Sequence, residues 1–409
     1  MVPFLMVSAL SVTVTAGARA YDSNWQIGTP IATYWSGPAL KDAMALQYKA
    51  GGFNLVWCEE KELATAQKHG LRTMLQSSLL TPETLDDPAK TALLDDQIER
   101  VKKSPAMYAY FLRDEPSASD FPGLGKLVAH LRAKDPAHLA YINLFPTYAN
   151  NQQLGVAGDL TTAYKGYLDQ FISIVKPSLL SYDHYSFQSK GDGDQYFLNL
   201  AMIRQAAIDA GIPFLNIVQA CSFDPSRRKP NADELRFLST TSLAYGAQGL
   251  SYFVYYYGPY QTKFGDKAGM MMTMPGAKTT VLYDAAKQQL PEFVAFATQL
   301  APLKSIGAYH VGKIPVGGQA LPPSSAFTVA DALGKPHDFA IGLFGTGGST
   351  TATFVANLDY NNTVAAVVTG PGPVDVFDAT TGKWSEASSG SVTATLPPGG
   401  GMLVRVHPQ

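Results

Sequence analysis

The chain has 409 residues, 46% of them hydrophobic and 16% charged, with a formal net charge of −2. This balance describes a folded protein with a sizeable core and excludes a disordered chain. No Lys/Arg stripe stands out, so neither nucleic acid nor an anionic membrane surface is an expected partner.

In chain order, the first twenty residues, MVPFLMVSALSVTVTAGARA, are a short apolar run closing on Ala18-Arg19-Ala20. The small-x-small ending predicts a secretory signal cut before Tyr21, although the start lacks the usual basic residues. The protein is then expected to be secreted or periplasmic, with no stable membrane insertion after cleavage. No later stretch is apolar for long enough to span a bilayer.

From residue 31 onward, apolar runs alternate with amphipathic helical stretches. The runs are IATYW from Ile31, FNLVWC from Phe53, LRTMLQ from Leu71, MYAYFL from Met107, LAYINLF from Leu139, LLSYDHY from Leu179, PFLNIVQA from Pro213 and GLSYFVYYY from Gly249. Continuous apolar strands joined by helices indicate a parallel sheet buried on both faces. Eight such units predict an α/β fold, a (β/α)₈ TIM barrel over residues 21–304. An open doubly wound sheet is disfavoured because Ser36-Gly37-Pro38, not a Gly-rich phosphate loop, follows the first strand. Over 305–409 the pattern changes to short alternating runs such as FAIGLF, TATFVANL and VAAVVT between Gly, Pro, Asn and Asp. That pattern predicts a C-terminal antiparallel β-sandwich. Cys58 and Cys221 are read as two buried free thiols, with no spacing that suggests zinc.

A barrel enzyme carries its reacting groups at the C-terminal ends of its strands, where the βα loops form the mouth. Strand four, MYAYFLRDEP, ends in Arg113, Asp114 and Glu115; strand two ends at Glu59, strand five at Asn143, and strand six at Asp183, His184 and Tyr185. Strand seven supplies Gln219 and strand eight Tyr255, while Trp35 and Trp57 close strands one and two. Several carboxylates on an aromatic-lined mouth suit hydrolysis of glycosidic bonds, which needs one carboxylic acid and a second carboxylate. Glu115 is the candidate acid and Asp183 its candidate partner. The remaining ten residues are candidate substrate contacts, with Glu59 as the other choice of base. Each has a plainer reading: an ion-pair cluster for Arg113 to Glu115, a helix-opening turn for Glu59, a rim hydrogen bond for His184, and core packing for the aromatic residues.

Strand–Arg-Asp-Glu-Pro resembles the fourth-strand motif of glycoside hydrolase clan A. The resemblance implies a general acid/base at Glu115 and a sugar contact at Asp114. The chain from residue 21 is also similar to exported bacterial barrel proteins associated with polysaccharide use, through RDEPSASDFPGL, YINLFPTYA, SYDHYSF and SLAYGAQGLSYFVYYY. One departure stands out. Retaining clan A enzymes carry a nucleophilic glutamate at the tip of strand seven, where this chain has Gln219. Asp183 in its place predicts an inverting pair with room for a water between the carboxyls. The expected function is an exported glycosidase acting on oligo- or polysaccharides, without metal or organic cofactor. The alternatives are a non-catalytic carbohydrate-binding barrel and a barrel enzyme of another class, such as a lyase or metal-dependent hydrolase.

Overall fold

The computed structural model of the chain describes residues 30–270, 278–386 and 389–408. The segment 1–20 read as a signal lies outside the described residues. Eight strands form one parallel sheet: β1 (Ile31–Trp35), β2 (Leu55–Cys58), β3 (Arg72–Leu75), β4 (Met107–Asp114), β5 (Leu139–Leu144), β6 (Leu180–His184), β7 (Phe214–Gln219) and β8 (Gly249–Phe253). Going round the sheet, β1 pairs with β8, and each strand from β8 down to β3 pairs with the one before it. Every pairing is parallel. With helices after the strands, this is the (β/α)₈ arrangement.

The ring closes between β1 and β2, and a single side chain does much of the closing. Asn54 donates its backbone N–H to Ala32 O (2.9 Å), accepts Ala32 N–H on Oδ1 (3.0 Å) and donates Nδ2 to Pro30 O (3.1 Å). Thr33 Oγ1 and Trp57 Nε1 add bonds across the same seam, to Leu55 O and Tyr34 O. Side chains here supply ladder bonds that the backbones of the two short strands leave unmade.

Along each strand the side chains alternate between the barrel interior and the surrounding helices. On β6, Ser181 binds inward to Tyr141, whereas His184 binds Asn199 on the helix Tyr196–Ala210. The helix Ala232–Ala244 starts at a reciprocal cap: Asn231 Oδ1 accepts Glu234 N–H (2.9 Å) and Glu234 Oε2 accepts Asn231 N–H (2.8 Å). Cys58 and Cys221 are buried and unpaired, and burial pushes both thiols up to about 12, which makes them poor nucleophiles. No helix among the described residues is long and apolar enough to cross a membrane.

The C-terminal part contains β9 (Lys304–Val311), β10 (Thr328–Asp331), β11 (Phe339–Thr346), β12 (Ser349–Asn357), β13 (Val364–Thr369), β14 (Val374–Asp378), β15 (Lys383–Trp384), β16 (Ser391–Leu396) and β17 (Gly401–Val406). They form two antiparallel sheets, β9-β11-β12-β17-β14-β15 and β10-β13-β16. One apolar cluster draws Val329 and Val368 from the smaller sheet and Ile341, Val355 and Val404 from the larger. The larger sheet also joins the barrel's own core: Phe354 and Phe377 set ring edges against Phe296 of the helix Val281–Leu300, at 5.2 and 5.9 Å. Gly342 permits this approach, since a Cβ there would sit 2.1 Å from Ala244 O.

Replacing Asn54 with alanine removes two seam hydrogen bonds at once. Urea unfolding is expected to show a loss of about 2 kcal/mol, and an unchanged midpoint would show that the seam does not depend on this amide.

Candidate active site

Strand β4 reaches the mouth with a change of parity. Its register with β5 pairs Phe111 with Tyr141, Arg113 with Ile142 and Asp114 with Asn143, leaving Leu112 as an extra residue. Without that bulge, Arg113 would share the inward face of Phe111. With it, Asp114 takes the inward face beside Asn143. Glu115 follows at φ +43°, a left-handed backbone that non-glycine residues rarely adopt, and its N–H binds Asn143 O (2.9 Å). Such a conformation costs about 1–3 kcal/mol and persists where the surroundings impose it. Bulge and left-handed turn together aim two successive carboxylates into the barrel mouth.

The third carboxylate comes from the tip of β6. Asn143 donates Nδ2 to Asp183 Oδ1 (2.8 Å) and to Asp114 Oδ1 (3.1 Å), while its Oδ1 accepts Ser181 Oγ (3.0 Å). Ser181 Oγ in turn contacts Tyr141 OH (2.7 Å). Glu115 and Asp183 influence each other's titration, so they titrate as a pair. Burial, then repulsion from Glu115 and Asp114, raises Asp183 well above the usual carboxylate range. Burial and then the charge of Asp114 push Glu115 up to about 7, against a lowering influence of Asp183. Asp114 as a residue keeps solvent exposure, yet burial around its carboxyl raises its pKa against the pull of Asn143 and Arg113. At neutral pH the cluster therefore keeps a proton that isolated carboxylates would lose.

The other residues singled out from the sequence divide into two groups. Tyr185 lies at the mouth, half-buried between the rings of Phe253 (4.8 Å) and Phe223 (5.1 Å), and its hydroxyl feels the charges of Asp183, Asp114 and Glu115. Trp35 is half-buried and meets Trp57 and Phe111 edge-on at 4.9 and 5.7 Å. Arg113 is exposed beside Asp114 and within reach of Glu83.

The second group is occupied elsewhere. The Asn143 amide is spent on the network just described, which makes it a positioning residue in place of the expected sugar contact. His184 faces the helix layer, Nδ1 against Asn199 Oδ1 (2.9 Å), and burial pushes its pKa down to about 4, so it is neutral. Tyr255 is fully buried among Tyr34, Tyr48 and Phe53, because the chain has left the barrel wall by Phe253. Trp57 is core, its Nε1 tied to Tyr34 O. Glu59 pairs with Lys61 (2.7 Å) and caps the turn Glu60–Glu62. It also lines a cavity of about 920 Å³ over β2 to β4, together with Gln76, Ser77, Thr81 and Phe111.

Gln219 is also committed. It is fully buried; Oε1 accepts Phe187 N–H (3.0 Å), and Nε2 lies 3.0 Å from Phe187 O, 3.3 Å from Cys221 O and 2.7 Å from Arg228 O. It stitches the loops after β6 and β7 together. A carboxylate here would face three carbonyl oxygens without a donor to offer them.

Two mouth residues carry no sequence signal. Tyr148, after β5, has its pKa raised by burial first and then by Asp183, and Arg227, after β7, stacks over its ring at 5.2 Å. Both lie on loops, where no periodicity marks a residue. Among the described residues, no group of three or more His, Cys, Asp and Glu side chains is placed to hold a metal ion.

Gln219→Glu is expected to cost about 2–4 kcal/mol in urea unfolding, from a buried carboxylate set against carbonyl oxygens. A neutral effect would mean that the loops tolerate a charge at this position. The protonated pair also has a pH signature. A carboxyl whose folded pKa is raised contributes stability that is full below its unfolded value near 4.5 and is lost as pH rises through about 7. Relative to wild type, Glu115→Gln should remove a decline on the order of 2 kcal/mol across that window; parallel stability curves would argue against a protonated Glu115.

No family model matches the chain, and no curated protein matches it. Solved structures similar to it include glycoside hydrolases. One is a family 39 glycoside hydrolase from the gut symbiont Bacteroides cellulosilyticus WH2, at 10% identity over 93% of this chain and 82% of that chain, TM-score 0.48. Another is alpha-galactosidase I from Mortierella vinacea, at 11% identity over 93% and 97%, TM-score 0.48. A third is a glucosidase from Croceicoccus marinus, at 12% identity over 95% and 98%, TM-score 0.45.

Proposed function

We propose that the chain is an exported glycoside hydrolase in which Glu115 protonates the leaving glycosidic oxygen of an oligo- or polysaccharide. The observation that carries this reading is a cluster of three carboxyls at the mouth of a barrel: Asn143 bonds Asp114 and Asp183, and Glu115 follows Asp114 with its N–H on Asn143 O. General acid catalysis works best when the acid's pKa lies near the working pH. Burial and like charge raise Glu115 to that range, and Asn143 fixes Asp114 and Asp183 around it. Half-buried Trp35 and Tyr185 offer ring faces that suit a pyranose. Asp183 is the partner that titrates with Glu115, and Asp114, the carboxylate with access to water, takes the proton of the water that attacks the anomeric carbon as the glycosidic bond breaks. No organic cofactor enters the proposal. The two C-terminal sheets are read as an accessory β-sandwich from about residue 305.

A second reading has a specific observation behind it. Gln219 sits where a strand-seven nucleophile would, and it is bound into the loops. That favours a barrel that binds glycans without cleaving them.

A glycan hydrolysis screen separates the two readings. Turnover should fall by roughly 10²–10⁴ in kcat for Glu115→Gln and for Asp183→Asn, with the fold intact by circular dichroism. Activity that survives loss of Glu115 would remove it as the acid, and binding without any turnover would favour the second reading. The pH–rate profile should decline on its alkaline side near the Glu115 pKa of about 7. Asp114→Asn removes a charge that raises this pKa and should move the decline to lower pH.

A further inference from the structure

The geometry points to an anionic substrate: Arg227 is placed to pair with a carboxylate or sulfate carried by the sugar bound next to Glu115 and Asp183. This inference rests on the carbohydrate reading above and adds the charge class of the sugar.

Four loops bring Arg227 to the mouth. The residue lies in the loop after β7 and bridges to Gln188 in the hairpin Phe187–Gln188/Gly191–Asp192. Its guanidinium lies 5.2 Å from the ring centre of Tyr148 and 5.9 Å from that of Phe223. Phe223 packs on Phe253 at the tip of β8 (5.3 Å) and on Tyr185 after β6 (5.1 Å). Arg227 Nη1 bonds the backbone oxygen of Tyr185, two residues past Asp183, which puts the cation at the tip of the strand that carries one of the acid pair.

The guanidinium is only partly used. Nη1 donates to Tyr185 O. Nε is buried without a hydrogen-bond partner and forms a long ion pair with Asp224 Oδ2, at 3.9 Å. The side chain keeps 14% of its surface exposed. An arginine fixed by stacking, one backbone bond and a long ion pair, with donor capacity left in its fork, is preorganised for a planar anion. The local charge supports the same assignment. Three carboxyls at one mouth repel an anionic sugar unless a cation faces the position of its charged group. Arg227 supplies that cation on the side of β5 to β7.

Binding can be read separately from turnover. Calorimetry on full-length Glu115→Gln protein would use oligogalacturonate, oligomannuronate and a sulfated galactan oligosaccharide, each against its neutral form (methyl ester, methyl ester and desulfated sugar). At least one anionic member should bind more tightly than its neutral form. Arg227→Met should reduce that preference about 10- to 100-fold, the effect of losing hydrogen bonds to a charged group, and Arg227→Lys should keep part of it. A preference for sulfate alone, or for carboxylate alone, would identify the anion. No binding of any anionic member, binding that ignores charge, or a preference that survives Arg227→Met would each overturn the assignment. The hydrolase reading fails on a different result: Arg227-dependent binding by a wild-type protein that turns over none of these sugars. Turnover of neutral glycans by the wild type, with no anion preference, would leave the hydrolase and remove the role of Arg227.

Discussion

Asp114, Glu115 and Asp183 are carboxyl groups that one hydrogen-bond network holds together, and Coulomb repulsion in a half-dry site prevents all three from ionising at once. The neighbouring features can be understood as the means of keeping that arrangement. The bulge at Leu112 turns Asp114 inward, the left-handed backbone at Glu115 brings the next carboxyl into the same space, and Asn143 spends its whole amide on the cluster. Each device costs stability locally. The barrel offsets the cost through a core that runs from Ile31 to Leu300 without interruption.

The site is asymmetric about its acid pair. Toward β2 to β4 lies a cavity lined by Glu59, Gln76, Ser77, Thr81 and Phe111. Toward β5 to β8 stand aromatic rings and a guanidinium. A ligand lying across the pair would meet polar side chains on one side and aromatic, positively charged surface on the other.

Much of the fold was legible in the sequence because buried parallel strands are written as unbroken apolar runs, and all eight appear where those runs lie. Three C-terminal strands were not legible. Lys383–Trp384 spans only two residues, Ser391–Leu396 is built of small and polar residues whose exposure alternates, and Lys304–Val311 is broken by Gly307 and His310. At the site, position at a strand tip singled out Asp114, Glu115 and Asp183. Residue type could not show which polar groups were already engaged. Asn143 and Gln219 look like free amides in a sequence and are fully bonded in space. Tyr255 illustrates a boundary effect: β8 ends at Phe253, and two residues later the ring faces the helices. Arg227 and Tyr148 were missed because a loop's geometry comes from tertiary contacts that no local pattern encodes.

The larger C-terminal sheet lays Phe354, Phe377 and Leu403 into the same apolar cluster as Phe296 and Leu300 of the last barrel helix. Many two-part enzymes are joined like beads on a thread, so that gene rearrangement can trade one part for another. Here a cut between the parts would uncover an aromatic face on each, a surface that favours aggregation over independent solubility. The shared cluster therefore ties the two parts together: a substitution on one side of the seam has to be matched on the other for the aromatic packing to survive.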